Sequence, residues 1–209
     1  MKIIYILIIL SVFCFGCAPK VDIQECRQLS NSSNDGIQSP AKALEANGLS
    51  NLYKVSDDVY RSAQPEEGGM TSAKALGIKT VLSLRETELD TDLNHNENAG
   101  LNTIHLPIVT WDVEDKNIID ALRIIRDAPK PILIHCRHGS DRTGLIIAMY
   151  RIVFEGWSKS CAKAELMHGG FGYHSMWSNI PKEIDDADIP AIRKELGIEA
   201  AGGLQDKAN

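Results

Sequence analysis

Short apolar runs recur along the chain between clusters of turn formers: Leu52–Val55, Val59–Arg61, Thr80–Leu84, Asn102–Leu106 and Pro131–His135. Each is too short for a helix and carries Val, Ile, Leu or Tyr, which predicts strands. The first two flank the turn Ser56-Asp57-Asp58. Longer stretches between and after these runs show helical spacing. Pro65 is expected to open a helix that runs to Leu76 and ends at Gly77. Asn117–Arg126 has apolar residues at 118, 119, 122 and 125. Thr143–Glu155 is strongly apolar, and Ser158–Met167 and Pro190–Leu196 also read as helices. Residues 85–100 are polar and predict a solvated helix, and Ala41–Ala46 predicts a short helical turn. Strands that alternate with helices predict an α/β domain, with a mainly parallel central sheet flanked by helices.

The two ends stand apart from this pattern. Residues 1–17 begin with Lys2 and continue through an apolar run, Ile3–Phe15, of 13 positions. That is too short for a membrane span and fits the core of a signal peptide. The run ends at Gly16-Cys17, which resembles a bacterial lipoprotein processing site, and the resemblance implies lipidation of Cys17. An ordinary cleaved signal peptide or an uncleaved anchor are the alternatives. All three export the domain, and the lipoprotein reading places it on the periplasmic side of a bacterial membrane. Residues 18–48 include the turn-rich run Ser30–Gly36 and predict a flexible tether. The folded domain is expected over 49–198, with a disordered tail over 199–209.

Composition narrows the partners. The net charge is −6, which excludes a broad basic face for nucleic acid or anionic lipid. Any positive potential for an anionic ligand must be local. Of the five cysteines, Cys26 and Cys161 have no chemical role of their own; export would permit them to pair, and free thiols are equally compatible. No His, Cys, Asp or Glu set shows metal-ligand spacing, so no cofactor or metal is expected.

The local positive potential has an obvious address. A strand ends in His135-Cys136, a polar loop Arg137-His138-Gly139-Ser140-Asp141 follows, and Arg142-Thr143-Gly144 opens the apolar helix. Backbone N–H groups at a helix N-terminus lack internal partners and attract anions. A cysteine at that lip beside an arginine favours the thiolate, its nucleophilic form. Arg142 can hold two oxygens of a phosphate with its planar fork. Gly139 allows a tight turn and close approach. The Thr143 hydroxyl is placed to donate to the Cys136 sulfur, and His135 is a support for the loop rather than a base.

The run His135-Cys136-x5-Arg142-Thr143-Gly144 resembles the signature loop of the cysteine-dependent protein tyrosine phosphatase superfamily. Tyr60-Arg61-Ser62-Ala63-Gln64-Pro65 resembles a segment near the start of bacterial and atypical dual-specificity members. The resemblance implies two-step hydrolysis of a phosphate monoester through a cysteinyl-phosphate. Cys136 and Arg142 would be catalytic, and Arg137, His138, Gly139, Ser140 and Thr143 would bind substrate. The family also uses an acid on a loop before the signature. Asp112 follows Trp111, 24 positions before Cys136, which resembles the mobile Trp-Pro-Asp loop without its proline. Asp141 is the second candidate, as a donor or as a partner that fixes Arg142. Asp112 is favoured, because a donor must reach the leaving oxygen opposite the thiolate. Glu114 and Asp115 follow in order, with Asp115 also placed to cap the next helix.

Substrate identity stays open between phosphotyrosine protein and inositol phosphate. Arg137 and His138 resemble basic loops of members that act on inositol phosphates, and Asp141-Arg142 resembles myotubularin-type loops. The loop His168–His174 either borders a substrate cleft or merely joins two helices. Two other classes compete: a non-catalytic phosphate- or phosphoprotein-binding module, and a rhodanese-like sulfurtransferase.

Overall fold

A computed structural model describes residue 26 and residues 40–87 and 100–198. It contains one six-stranded sheet with six described helices. In chain order the elements are β1 (Lys42–Ala43), β2 (Tyr53–Lys54), β3 (Val59–Ser62), α1 (Gly69–Ala75), β4 (Thr80–Ser83), β5 (Asn102–His105), α2 (Asp115–Asp127), β6 (Ile132–His135), α3 (Asp141–Glu155), α4 (Lys159–His168), α5 (Asn179–Asp186) and α6 (Ile189–Glu195). The strand order is β1-β2-β3-β6-β4-β5. Strands β3, β6, β4 and β5 run parallel, and β1 and β2 extend one edge antiparallel. The expected mainly parallel α/β sheet is therefore present.

Burial explains why the central strands lack an exposed polar face. Every residue of β3, β4 and β6 is buried, as expected for parallel strands covered on both faces. Alternation sends them to different sides. Tyr60, Val81 and Leu133 pack with Met70 and Ala73 of α1. Val59, Leu82, Ile132 and Ile134 pack with α2, α3, α4, α5 and α6. Helix α3 is buried around most of its circumference because α2, α4, α5 and α6 surround it. This is why its sequence is apolar without a polar stripe.

Registry sets the position of the loop after β6. Ser62 and Ser83 both pair with His135, so β3, β6 and β4 end level with one another. Open α/β sheets bind ligands at the C-terminal ends of their strands, and here Cys136 leaves the sheet between two neighbours that end at the same height.

Several boundaries differ from expectation. Residues 42–43 form an edge strand, not a helical turn, so the sheet begins before Leu49 and the tether is shorter than 18–48. Helix α1 begins at Gly69, not at Pro65. Gly68 has φ +80°, and the Gly69 backbone lies so close to Gly48 that a Cβ there would meet the Gly48 oxygen at 2.4 Å. That packing delays the helix. Helix α2 starts one residue beyond Glu114, whose N–H donates to Asn117 Oδ1 (3.0 Å), so Asp115 is the first helical residue and not the cap. Helix α5 lies outside the expected elements. Ile180 and Ile184, four apart, carry its buried face. The helix expected over 85–100 falls mostly outside the described residues, as do 1–17, most of 18–48 and the tail from 199. Cys26 and Cys161 are paired as a disulfide that joins the N-terminal segment to α4.

Candidate active site

The loop between β6 and α3 is built by turning its carbonyls away from its centre. Arg137 O accepts from Gln64 N (3.3 Å). His138 O accepts from Asn51 Nδ2 (2.9 Å) and Gly139 O from Arg61 Nη2 (2.6 Å). Among the described residues, none accepts a hydrogen bond from the backbone N–H groups of Arg137 to Thr143. A peptide whose carbonyl is held on one side presents its N–H on the other. The loop thus offers a set of N–H donors at the start of a fifteen-residue helix, an anion cradle.

Cys136 is buried at the head of this loop and is the free cysteine among the described residues. Burial pushes the Arg61 guanidinium down to about 10, with Glu165 and Cys136 opposing. Arg61 is 1% exposed, and its Cζ lies 3.8 Å from the centre of the Phe171 ring. His135 Nδ1 is 3.4 Å from Cys136 O.

Arg142 is held by backbone and not by Asp141. Its Nη1 donates to Ile108 O (3.1 Å) and Leu84 O (3.4 Å), and its Nε is buried with no partner among the described residues. Asp141 points elsewhere. Its Oδ1 accepts from His174 N (3.0 Å) and its Oδ2 pairs with His174 Nδ1 (2.9 Å). The expectation that Asp141 fixes the guanidinium is therefore corrected: both of its oxygens are engaged by His174. The other loop residues divide by role. Arg137 and His138 are exposed and line a cleft of 570 Å³ with Gln64, Glu66 and Glu67. Ser140 spends its hydroxyl on Phe171 O (2.7 Å), so it can serve a ligand only through its N–H. Thr143 Oγ1 is buried without a hydrogen-bond partner among the described residues, so the expected bond to the Cys136 sulfur is not made.

Asp112 lies on an exposed loop closed by a bridge between Val109 and Asp112. Three contacts brace that loop. Arg142 reaches Ile108 O, Asn179 Nδ2 donates to Thr110 O (2.8 Å), and Trp111 stacks on Trp177 at 6.4 Å between ring centres. Trp111 is still 64% exposed. The base of the acid loop is thus tied to the arginine that would bind phosphate, and its tip stays in solvent.

Three contributors are given no individual role by the sequence alone. Arg61, from the neighbouring strand β3, and Asn51 hold the loop by its carbonyls. His174 arrives on the loop after α4 and meets Asp141, and its ring lies 5.2 Å from that of His138. This brings His138, Asp141 and His174 together, with one donor atom from each within 4.8 Å of the others. Residues scattered over 36 positions show no metal-ligand spacing in the sequence. Only the Arg61 segment and the glycine-rich stretch around His174 carry a sequence signal.

Comparison with known proteins agrees with this geometry. A model described as "Tyrosine phosphatase family" matches residues 49–169. The dual specificity protein phosphatase TpbA of Pseudomonas aeruginosa is 36% identical over 158 residues, covering 75% of this chain and 71% of TpbA. An inositol diphosphatase of Arabidopsis thaliana is 27% identical over 160 residues, covering 70% of this chain and 74% of that protein. The crystal structure of a serine-for-cysteine variant of TpbA in complex with phosphotyrosine superposes with a TM-score of 0.68. It is 31% identical, covering 80% of this chain and 100% of that one.

Proposed function

The chain belongs to the tyrosine phosphatase family and is a cysteine-dependent phosphatase of the tyrosine and dual-specificity type; on that premise we propose that Cys136 is its nucleophile and phosphotyrosine-bearing protein its substrate. Family membership removes the non-catalytic module and the sulfurtransferase. In the first step the Cys136 sulfur attacks phosphorus and the phosphorus–oxygen bond to the leaving group breaks. The loop N–H groups and Arg142 hold the equatorial oxygens as charge redistributes over them. Asp112 gives a proton to the leaving oxygen. In the second step water attacks the cysteinyl-phosphate, the sulfur leaves as thiolate, and inorganic phosphate departs. The observation that carries this reading is the outward anchoring of three successive loop carbonyls, which leaves the loop N–H groups for an anion.

Two observations support phosphotyrosine over inositol phosphate. TpbA, a dual specificity protein phosphatase, is the more similar of the two relatives, and the solved TpbA complex carries phosphotyrosine. The cleft beside the loop sets Glu66 and Glu67 opposite Arg137 and His138. Mixed charge suits a peptide flank and disfavours a ring crowded with phosphates. Inositol phosphate remains a second reading, favoured by Arg137 and His138 and by the Arabidopsis relative. Phosphate release should be compared for a tyrosine-phosphorylated peptide and inositol hexakisphosphate. The reading expects a clearly higher kcat/KM for the peptide, and the reverse order replaces it with the second.

Export with a lipid on Cys17 is part of the proposal. Its supports are the short apolar run, Gly16-Cys17, and the pairing of Cys26 with Cys161, which suits an oxidising compartment. Metabolic labelling with a fatty acid should mark the wild type and not Cys17→Ala; equal labelling of both removes the anchor.

A further inference from the structure

From the convergence of His138, Asp141 and His174 we infer a site for one divalent transition-metal ion of the Zn2+ class at the lip of the catalytic loop. One donor atom from each residue lies within 4.8 Å of the other two. Two imidazoles and a carboxylate match the three protein ligands of open zinc sites, with a fourth position left for water. Donors about 2 Å from a tetrahedral ion lie about 3.3 Å apart. Asp141 Oδ2 and His174 Nδ1 are already 2.9 Å apart, so the remaining closure falls on His138. That side chain is exposed, and its ring already lies 5.2 Å from that of His174.

The surroundings have the form of an outer shell around a ligand set. The Asp141 carboxylate is oriented through Oδ1 by the His174 backbone N–H (3.0 Å), and its Oδ2, paired with His174 Nδ1 (2.9 Å), is the oxygen that would meet an ion. Asn51 Nδ2 bonds both His138 O (2.9 Å) and Phe171 O (3.0 Å), and Ser140 Oγ bonds Phe171 O (2.7 Å). These bonds join the catalytic loop to the segment that carries His174, so the two backbones cannot drift apart without breaking them. Both imidazoles are exposed, which gives an ion a path from solvent. On binding, the ion takes the place of the proton between His174 Nδ1 and Asp141 Oδ2, and the ring keeps its proton on Nε2. Nitrogen ligands select Zn2+, Cu2+ or Ni2+ over Mg2+ and Ca2+, which take oxygen. A plain His–Asp pair would explain two of the residues, but it would not bring His138 to the same point.

The test is Zn2+ binding by the full chain, read by competition with a chromophoric indicator, and it needs no turnover. It is done in Cys136→Ser, so that the catalytic thiolate cannot bind the ion. One Zn2+ per chain is expected, weakened about tenfold or more by His174→Ala and likewise by His138→Ala, with Mg2+ failing to compete. Circular dichroism checks each fold, and the exposed His138 variant decides if the other unfolds. Failure of Cys136→Ser to bind Zn2+ overturns the site. So does binding in Cys136→Ser that His138→Ala leaves unchanged. Neither result bears on the phosphatase mechanism, which turnover tests separately.

Discussion

At Gly139 the backbone runs at φ +71°, and a Cβ there would meet the Ser62 carbonyl oxygen at 2.4 Å. Both conformation and space require glycine. Gly139→Ala should move the loop off β3 and lower kcat/KM about 100-fold, since a misplacement of about 1 Å costs that much. Unchanged kinetics would mean that the loop tolerates the shift. The proton donor is a second matter for single residues. Asp141 is committed to His174 through both oxygens, whereas Asp112 sits on an exposed loop. Asp112→Asn should therefore slow an alkyl phosphate, whose leaving group needs a proton, far more than an activated aryl phosphate. It should also flatten the alkaline limb of the pH–rate profile. If Asp141→Asn shows both effects and Asp112→Asn neither, the assignment is reversed. His138 yields a pH prediction. Partial burial lowers its proton affinity from the ordinary value, then His174, Arg137 and Arg142 add to this while Asp141 opposes. As pH falls through about 6.5, the unfolded chain takes up that proton before the folded one, so folding loses stability on acidification. Thermal midpoints between pH 7 and 5 should fall less in His138→Gln than in wild type, and equal slopes would remove His138 from the account.

Among the elements, those whose signal is local are legible in the sequence. Strands β3, β4 and β6 are apolar runs bounded by Pro, Gly or turn residues, and α3 is an apolar stretch long enough to exclude a strand. Strand β1 has two exposed residues and no periodicity, so only its pairing with β2 defines it. Helix α5 has Pro181 in its first turn, which hides the Ile180 and Ile184 pair. The site divides in the same way. Cys136 and Arg142 share one loop and can be read together. Arg61 and His174 reach it through sheet registry and a loop after another helix, which no spacing rule encodes. Element packing also makes a stability prediction. Arg151 of α3 is fully buried and bonds Glu165 of α4 through Nε and Nη2 (3.0 Å each) and Glu155 through Nη1 (2.7 Å). Glu165 in turn accepts from Ala41 N (3.1 Å), just before β1. Arg151→Ala strands two buried carboxylates and should cost about 3–5 kcal/mol in chemical denaturation. A loss below about 1 kcal/mol would show that water reaches the pair.

At the scale of the molecule, an acidic chain concentrates its positive potential at one end of one sheet. The net charge of −6 offers no general attraction for anions, so in the proposed mechanism the loop N–H groups and Arg142 do the binding. The level ends of β3, β6 and β4 place that loop, Arg61 buttresses it from β3, and α3 presents its N-terminus to it. On the proposed mechanism all of this serves one step, the transfer of a phosphoryl group to the Cys136 sulfur. Rapid acid quench of the enzyme with a radiolabelled aryl phosphate, followed by peptide mapping, observes that step directly. The account predicts one phosphoryl group on the peptide that carries Cys136, formed within the first turnover and absent from Cys136→Ser. Full turnover by Cys136→Ser, with no labelled peptide in the wild type, would contradict it.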